Sequence, residues 1–206
     1  MILIAVSQRV DYHVNHQEHR DAADQRLIEF LLAAGFLSAP VPNSYCSELN
    51  NVTIPPLCEW LEVVNPKAII LSGGNDIGSN VRRDCTEAYL MQYAAEQRLP
   101  VIGLCRGMQL MAVWSGAQLK TVSNHAATRH HLHGEISGEV NSFHNYSLAN
   151  CPVDYDVIAR SDDFEIEAIR HREMPWEGWM WHPEREKLPQ QRDIVRLKNL
   201  LINSNR

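Results

Sequence analysis

Cys105 lies in the run Gly103-Leu104-Cys105-Arg106-Gly107, with a glycine two residues away on each side. Residues 100–104 form a short apolar run suited to a buried strand, and residues 106–114 carry helical spacing that Gly116 stops. A nucleophile on such a strand-to-helix turn needs small neighbours, because the sharp backbone crowds both elements. The thiol then projects from the carboxyl edge of a sheet at a helix amino terminus, whose partial positive charge favours thiolate. The backbone N–H of Arg106 would face an oxyanion forming above the sulfur. The chemistry predicted is attack on a carbonyl carbon with a covalent intermediate. A buried cysteine in a glycine-rich turn is the plainer reading, and this pattern alone does not exclude it.

Trp181-His182-Pro183-Glu184 supplies a base and an orienting acid. In an extended segment residues two apart face the same way, so the Glu184 carboxylate can reach one imidazole nitrogen of His182 while the other faces Cys105. By itself a His-Pro-Glu tripeptide reads as a structural turn. Ser72-Gly73-Gly74, at the end of an earlier apolar run, either offers a backbone N–H to the same oxyanion or forms a tight turn. The conjunction of the three pieces, in a workable order, favours a catalytic site.

Other conspicuous residues read more plainly. Ten histidines, including Arg129-His130-His131-Leu132-His133 with His125 nearby, invite a metal hypothesis. His131 and His133 would share a strand face, yet no His-Glu-x-x-His or other recognised ligand spacing appears, so neither metal nor cofactor is expected. Trp176, Trp179 and Trp181 read as core, with a wall that stacks a base as the alternative. Asn75 and Asp76 either line a cleft or cap a turn.

Positioning these groups falls to alternating strands and helices. Apolar runs at 1–6, 36–41, 68–71 and 100–104 predict strands, buried and parallel. Helical spacing predicts helices over 17–34, 56–64, 82–97, 106–114 and 193–202. Between 117 and 181 the chain changes to short strand-like pieces at 139–143, 155–159, 165–170 and 178–181. The expected fold class is α/β: a central, mostly parallel sheet flanked by helices and carrying the nucleophile elbow, plus a smaller antiparallel sheet portion. No repeat or linker interrupts residues 1–206, which read as a single domain.

Lys and Arg total 19 against 25 Asp and Glu, a formal charge of -6, which argues against non-specific nucleic-acid binding. The five cysteines are scattered without a CxxC pair and read as reduced thiols of a cytoplasmic protein. The amino terminus is apolar for only six residues, too short for a membrane span and without a signal-peptide pattern.

The runs Gly103-Leu104-Cys105-Arg106-Gly107-Met108-Gln109 and Trp181-His182-Pro183-Glu184 resemble those of class I glutamine amidotransferase domains, in the branch of stand-alone γ-glutamyl hydrolases. The resemblance covers nearly the whole chain. It implies a γ-glutamyl thioester on Cys105, proton transfer by His182, orientation of that histidine by Glu184, and oxyanion donors at the Gly74 and Arg106 N–H groups. It also implies that Gly73, Gln109 and the segment Asn141-Ser142-Phe143-His144 hold the glutamyl end. That branch often has a Gln where this chain has Tyr146. Ser72–Ile77, Ser7-Gln8-Arg9-Val10 and the compact length further resemble γ-glutamyl-CDP-amidate hydrolases linked to phosphoramidate decoration of bacterial capsules. An anionic leaving group of that kind would call for cationic partners, with Arg9, Arg106 and Arg129 as candidates or as ordinary surface arginines. The expected partner is a small-molecule γ-glutamyl substrate, with no nucleic acid and no membrane. A glutaminase subunit serving a separate synthetase, and a non-catalytic binding domain on the same fold, are the two rival readings.

Overall fold

The computed structural model describes residues 1–46 and 56–203. Five parallel strands make one half of a nine-stranded sheet: in spatial order β4 (Phe36–Pro40), β1 (Ile2–Val6), β5 (Ala68–Leu71), β6 (Val101–Leu104) and β13 (Trp176–Trp179). The sheet continues antiparallel through β12 (Ile166–His171), β11 (Tyr155–Ser161), β8 (Ala126–Gly134) and β9 (Gly138–Phe143). Two short ribbons stand outside it, β2 (Arg9–His13) with β3 (Glu18–Ala22), and β7 (Leu119–Thr121) with β10 (Tyr146–Leu148).

Strand alternation divides the core between the two faces of the sheet. Ile4 and Val6 join Leu27, Phe30 and Leu31 of α1 (Gln25–Ala33) and Leu197 and Leu201 of α5 (Gln191–Asn203). Ala5, Ile69 and Leu71 join Leu57 and Leu61 of α2 (Pro56–Val64), Leu90 and Met91 of α3 (Val81–Gln97), and Met108 and Met111 of α4 (Arg106–Trp114). Each fully buried aliphatic side chain contributes about 1.5–3 kcal/mol, so the continuous apolar strands fix which faces the helices cover. Trp176, Trp179 and Trp181 are all buried, and the last two stack at 5.3 Å.

Three expectations need correction. The helix read over 17–34 begins only at Gln25, where the Arg26 N–H donates to the Asp24 carboxylate at 3.0 Å. The residues before it form the β2–β3 hairpin, because Glu18–Ala22 is charged and almost wholly exposed and has no apolar stripe to bury as a helix. The strand expected only as the shared face of His131 and His133 is the long β8, Ala126–Gly134, although its histidine-rich sequence lacks the usual apolar alternation. Finally, Cys46 and Cys85 are not reduced thiols but form a disulfide across 39 residues; their spacing gave no hint that their Cα atoms lie 6.0 Å apart. Among the described residues, no helix is long and apolar enough to cross a membrane.

Candidate active site

Cys105 joins β6 to α4 with φ 51° and ψ −106°, a left-handed conformation that a side chain rarely adopts. Such a residue costs of order 1–3 kcal/mol and persists only where its surroundings over-determine it. Here the Cys105 N–H donates to the Trp179 carbonyl at 2.7 Å, tying the elbow to β13. A Cβ at Gly107 would stand 2.1 Å from the Leu71 carbonyl oxygen, and one at Gly103 would stand 2.6 Å from the Met108 nitrogen. Both flanking glycines are therefore required by backbone contact, and the free thiol is left only 6% exposed.

A buried charge network supports the elbow from below. The Arg83 and Arg106 guanidiniums both pair with Glu87, and Arg106 also pairs with Asp84. Burial pulls Arg106 down to about 9 and Arg83 to about 10, yet both remain charged at neutral pH. Two cations thus meet two anions, the condition under which buried charge is tolerated. Ser7 Oγ donates to Glu87 at 2.7 Å and accepts from the Ser72 N–H at 2.9 Å. Arg83 Nη2 donates to the Ser72 and Gly73 carbonyls at 2.7 and 3.0 Å. In a trans peptide the N–H opposes the C=O, so the Gly74 N–H points away from Arg83.

His182 is held from three directions. Its Nδ1 lies 2.6 Å from Glu184 Oε1, and the ring lines the same cavity as the Cys105 thiol. Asn141 clamps its backbone, accepting from the His182 N–H at 3.0 Å and donating to its carbonyl at 2.8 Å. Burial opposes the imidazolium, but the contacts with Cys105 and Glu184 outweigh it and raise His182 to about 9. The segment after His182 is not extended as expected: Pro183–Arg185 forms a 3-10 turn with proline in its first turn. Glu184 reaches Nδ1 all the same. Gly73 makes room for the ring, since a Cβ there would lie 2.5 Å from His182 Cε1.

A small cavity of about 120 Å³ is lined by Cys105, His182, Gly74, Gln109, Phe143 and Arg185, with Asp76, Arg106, His144, Asn145 and Tyr146 completing it. Arg185 stacks over the Phe143 ring at 4.8 Å. Two larger hollows, of about 320 and 410 Å³, are lined by neither Cys105 nor His182. Gln109, Phe143 and His144 therefore stand beside Cys105 and His182. Asn141 and Ser142 do not face the cavity: the Asn141 amide is spent on His182 and Glu186, and Ser142 Oγ donates to the His125 carbonyl at 2.5 Å. The Arg106 guanidinium is committed to its buried carboxylates and is not free for a leaving group. Arg129 pairs with Glu186 and Glu139, and Arg9 pairs with Asp11 while packing on Gly74.

Sequence reasoning missed Arg83, Glu87, Asp84 and Arg185. Arg83 and Glu87 are four apart on α3, a detectable ion-pair spacing, but nothing in the sequence placed them beneath the elbow. It also missed Glu167, which is buried among His125, His130 and His144. His131 and His133 share the opposite, exposed side of β8, where His133 meets Asp162 at 2.6 Å.

The family model for class-I glutamine amidotransferases matches residues 17–202. The chain is 33% identical over 126 residues to a gamma-glutamyl-CDP-amidate hydrolase of Campylobacter jejuni, covering 58% of this chain and 63% of that relative, less than two thirds of its length. It is 32% identical over 134 residues to a glutamine-hydrolyzing GMP synthase subunit of Methanothrix thermoacetophila, covering 60% of this chain and 70% of the relative. Its fold matches a proposed GMP synthase subunit from Thermoplasma acidophilum at a TM-score of 0.69 and 22% identity, over 100% of this chain and 94% of the other. With the elbow on one sheet edge and a family match over most of its length, the chain belongs to the class-I glutamine amidotransferases.

Proposed function

We propose that the protein hydrolyses a γ-glutamyl amide through a Cys105 thioester, releasing L-glutamate. The observation that carries this reading is that the elbow cysteine Cys105 and His182 line one cavity, with Glu184 holding the His182 Nδ1 at 2.6 Å. The Cys105 thiolate attacks the γ-carbonyl carbon, and the N–H groups of Gly74 and Arg106 receive the oxyanion. Arg106 opens α4, so its N–H has no acceptor within the helix. As the C–N bond breaks, the His182 imidazolium gives its proton to the leaving nitrogen. His182 then takes a proton from water, hydroxide adds to the thioester, and the C–S bond breaks to return the thiolate and glutamate.

Gln109, Phe143 and Arg185 are assigned to the glutamyl end, with His144 in the wall behind it, its Nδ1 held by the Tyr146 carbonyl. Pockets for drug-sized ligands commonly hold roughly 300–1,000 Å³, so a cavity of about 120 Å³ suits only the glutamyl end. The amine would leave toward solvent. Likeness to the Campylobacter relative makes γ-glutamyl-CDP-amidate the first substrate to test, and with it a cytoplasmic role in capsule biosynthesis. Arg9 and Arg129 remain the candidate contacts for such a leaving group. A second reading, a glutaminase subunit docked on a synthetase, is favoured by the relatives that are glutamine-hydrolyzing subunits of GMP synthase.

Glutamate release by the purified protein separates the two. Rapid turnover of γ-glutamyl-CDP-amidate, with little from L-glutamine, is the expected outcome. Feeble turnover of every γ-glutamyl compound, restored by a synthetase chain, would replace the hydrolase reading with the synthetase-bound one.

A further inference from the structure

Glu167 in β12 is fully buried, yet neither of its carboxylate oxygens receives a well-formed hydrogen bond. Three histidines surround it: His125 before β8, His130 within β8, and His144 between β9 and β10. Two have their outward nitrogens committed. His144 Nδ1 lies 3.0 Å from the Tyr146 carbonyl, which can only accept, so Nδ1 carries the proton. His125 Nε2 lies 2.9 Å from the Asp163 carboxylate and donates to it in the same way.

In neutral rings this leaves His125 Nδ1 and His144 Nε2 as bare lone pairs. They face each other at 3.3 Å, and each faces Glu167 Oε1 at 3.4 Å. His130 Nε2, which has no hydrogen-bond partner, stands 3.3 Å from Glu167 Oε2. The lone pairs of His125 and His144 therefore converge with Glu167 Oε1 on a buried point with no donor among these three, an arrangement that is costly unless something electrophilic lies between them.

We propose that this cluster is a structural site for a divalent, zinc-class cation. His125 Nδ1, His144 Nε2 and Glu167 are its ligands, and His130 Nε2 is close enough to complete the set. The ligating atoms of His125, His130 and Glu167 lie within 4.8 Å of one another. A tetrahedral ion with bonds of about 2.0–2.1 Å has ligand–ligand edges of about 3.3–3.4 Å. The triangle of His125, His144 and Glu167 has edges of 3.3, 3.4 and 3.4 Å, so an ion fits with little movement of the ligands. The outer contacts agree, because ligating histidines characteristically donate their second nitrogen to a carboxylate or a backbone carbonyl. The ion would tie β8 and β12 to the Phe143–Tyr146 turn, which forms a wall of the catalytic cavity. The short-range spacing rules that argued against a metal fail here because the ligands are drawn from positions 125, 130, 144 and 167.

The competing occupant is a proton, making one ring an imidazolium. Titration of EDTA-treated protein with zinc chloride, and separately with cobalt chloride, distinguishes the two. A Cys105→Ala background removes the catalytic thiolate as a rival ligand. The expected result is one ion per chain, with the intense visible bands of four-coordinate cobalt. Glu167→Gln should abolish stoichiometric uptake, and Asp163→Asn should weaken it about 10–100-fold. Failure of the folded parent to bind a stoichiometric ion, or unchanged affinity in Glu167→Gln, would overturn the proposal. Should Glu167→Gln not fold, unchanged affinity in Asp163→Asn, altered at a largely exposed position, does so instead.

Discussion

The two halves of the nine-stranded sheet hold their share of the site by different means. The parallel half positions Cys105 through backbone contact: Leu71 of β5 leaves no room for a Cβ at Gly107, and the first turns of α4 leave none at Gly103. The antiparallel half acts on His182 through side chains, with Asn141 of β9 reaching across to both backbone groups of the histidine. A nucleophile that must adopt a strained φ needs rigid packing, whereas a proton carrier needs the right orientation and charged neighbours. The unequal depth of the sequence signals follows from the same difference. Glycine spacing around a turn is local, but an amide clamp spanning 41 residues is not.

The sharpest break of this division is Cys105→Ala, which should lower glutamate release by at least about 10⁴-fold while circular dichroism remains native. Next comes Gly107→Ala. Its new Cβ would strike the Leu71 carbonyl rather than a yielding side chain, so urea unfolding should show a loss of about 3 kcal/mol or more. A truncation on the other half, Asn141→Ala, should cost less stability and instead reduce kcat about 100-fold, because His182 loses its register with the thiol. If Asn141→Ala unfolded the protein as Gly107→Ala does, the distinction between backbone and side-chain positioning would fail.

The smallest expected effect is in pH dependence. Burial opposes the His182 imidazolium, yet Cys105 and Glu184 raise it to about 9, and the proposed reaction needs this protonated form for the leaving nitrogen. kcat/KM should therefore fall as pH rises through about 9. Glu184→Gln removes one of the contacts that favour the imidazolium, so this descending limb should move to lower pH. A limb that stays in place would mean that Glu184 orients the ring without tuning its charge.

Much of the parallel half is legible in the sequence. The boundaries of α2, β5 and α4 match their apolar spacing and stops, since continuous apolar strands and amphipathic helices announce their own burial. The β2–β3 hairpin is not legible, and β8 only as the strand face of His131 and His133: their residues are polar, and pairing with an adjacent strand rather than an apolar face makes them strands. Phe143, His144 and Gln109, expected at the glutamyl end, line the cavity, but Asn141 and Ser142 from the same motif turn inward to structural duties. Alternation turns Ser142 to the opposite face, whereas Asn141 shares the face of Phe143 and spends its amide on the His182 backbone.

The sequence by itself determined the α/β class, the elbow and the order in which nucleophile, histidine and acid occur, because each is written in neighbouring residues. Only the tertiary structure decided that Asp84 and Glu87 neutralise Arg83 and Arg106 beneath the elbow, that Cys46 meets Cys85, and that Glu167 lies among three histidines. Buried charges and thiols depend on whichever groups folding brings within a few ångströms, and spacing along the chain does not encode that proximity.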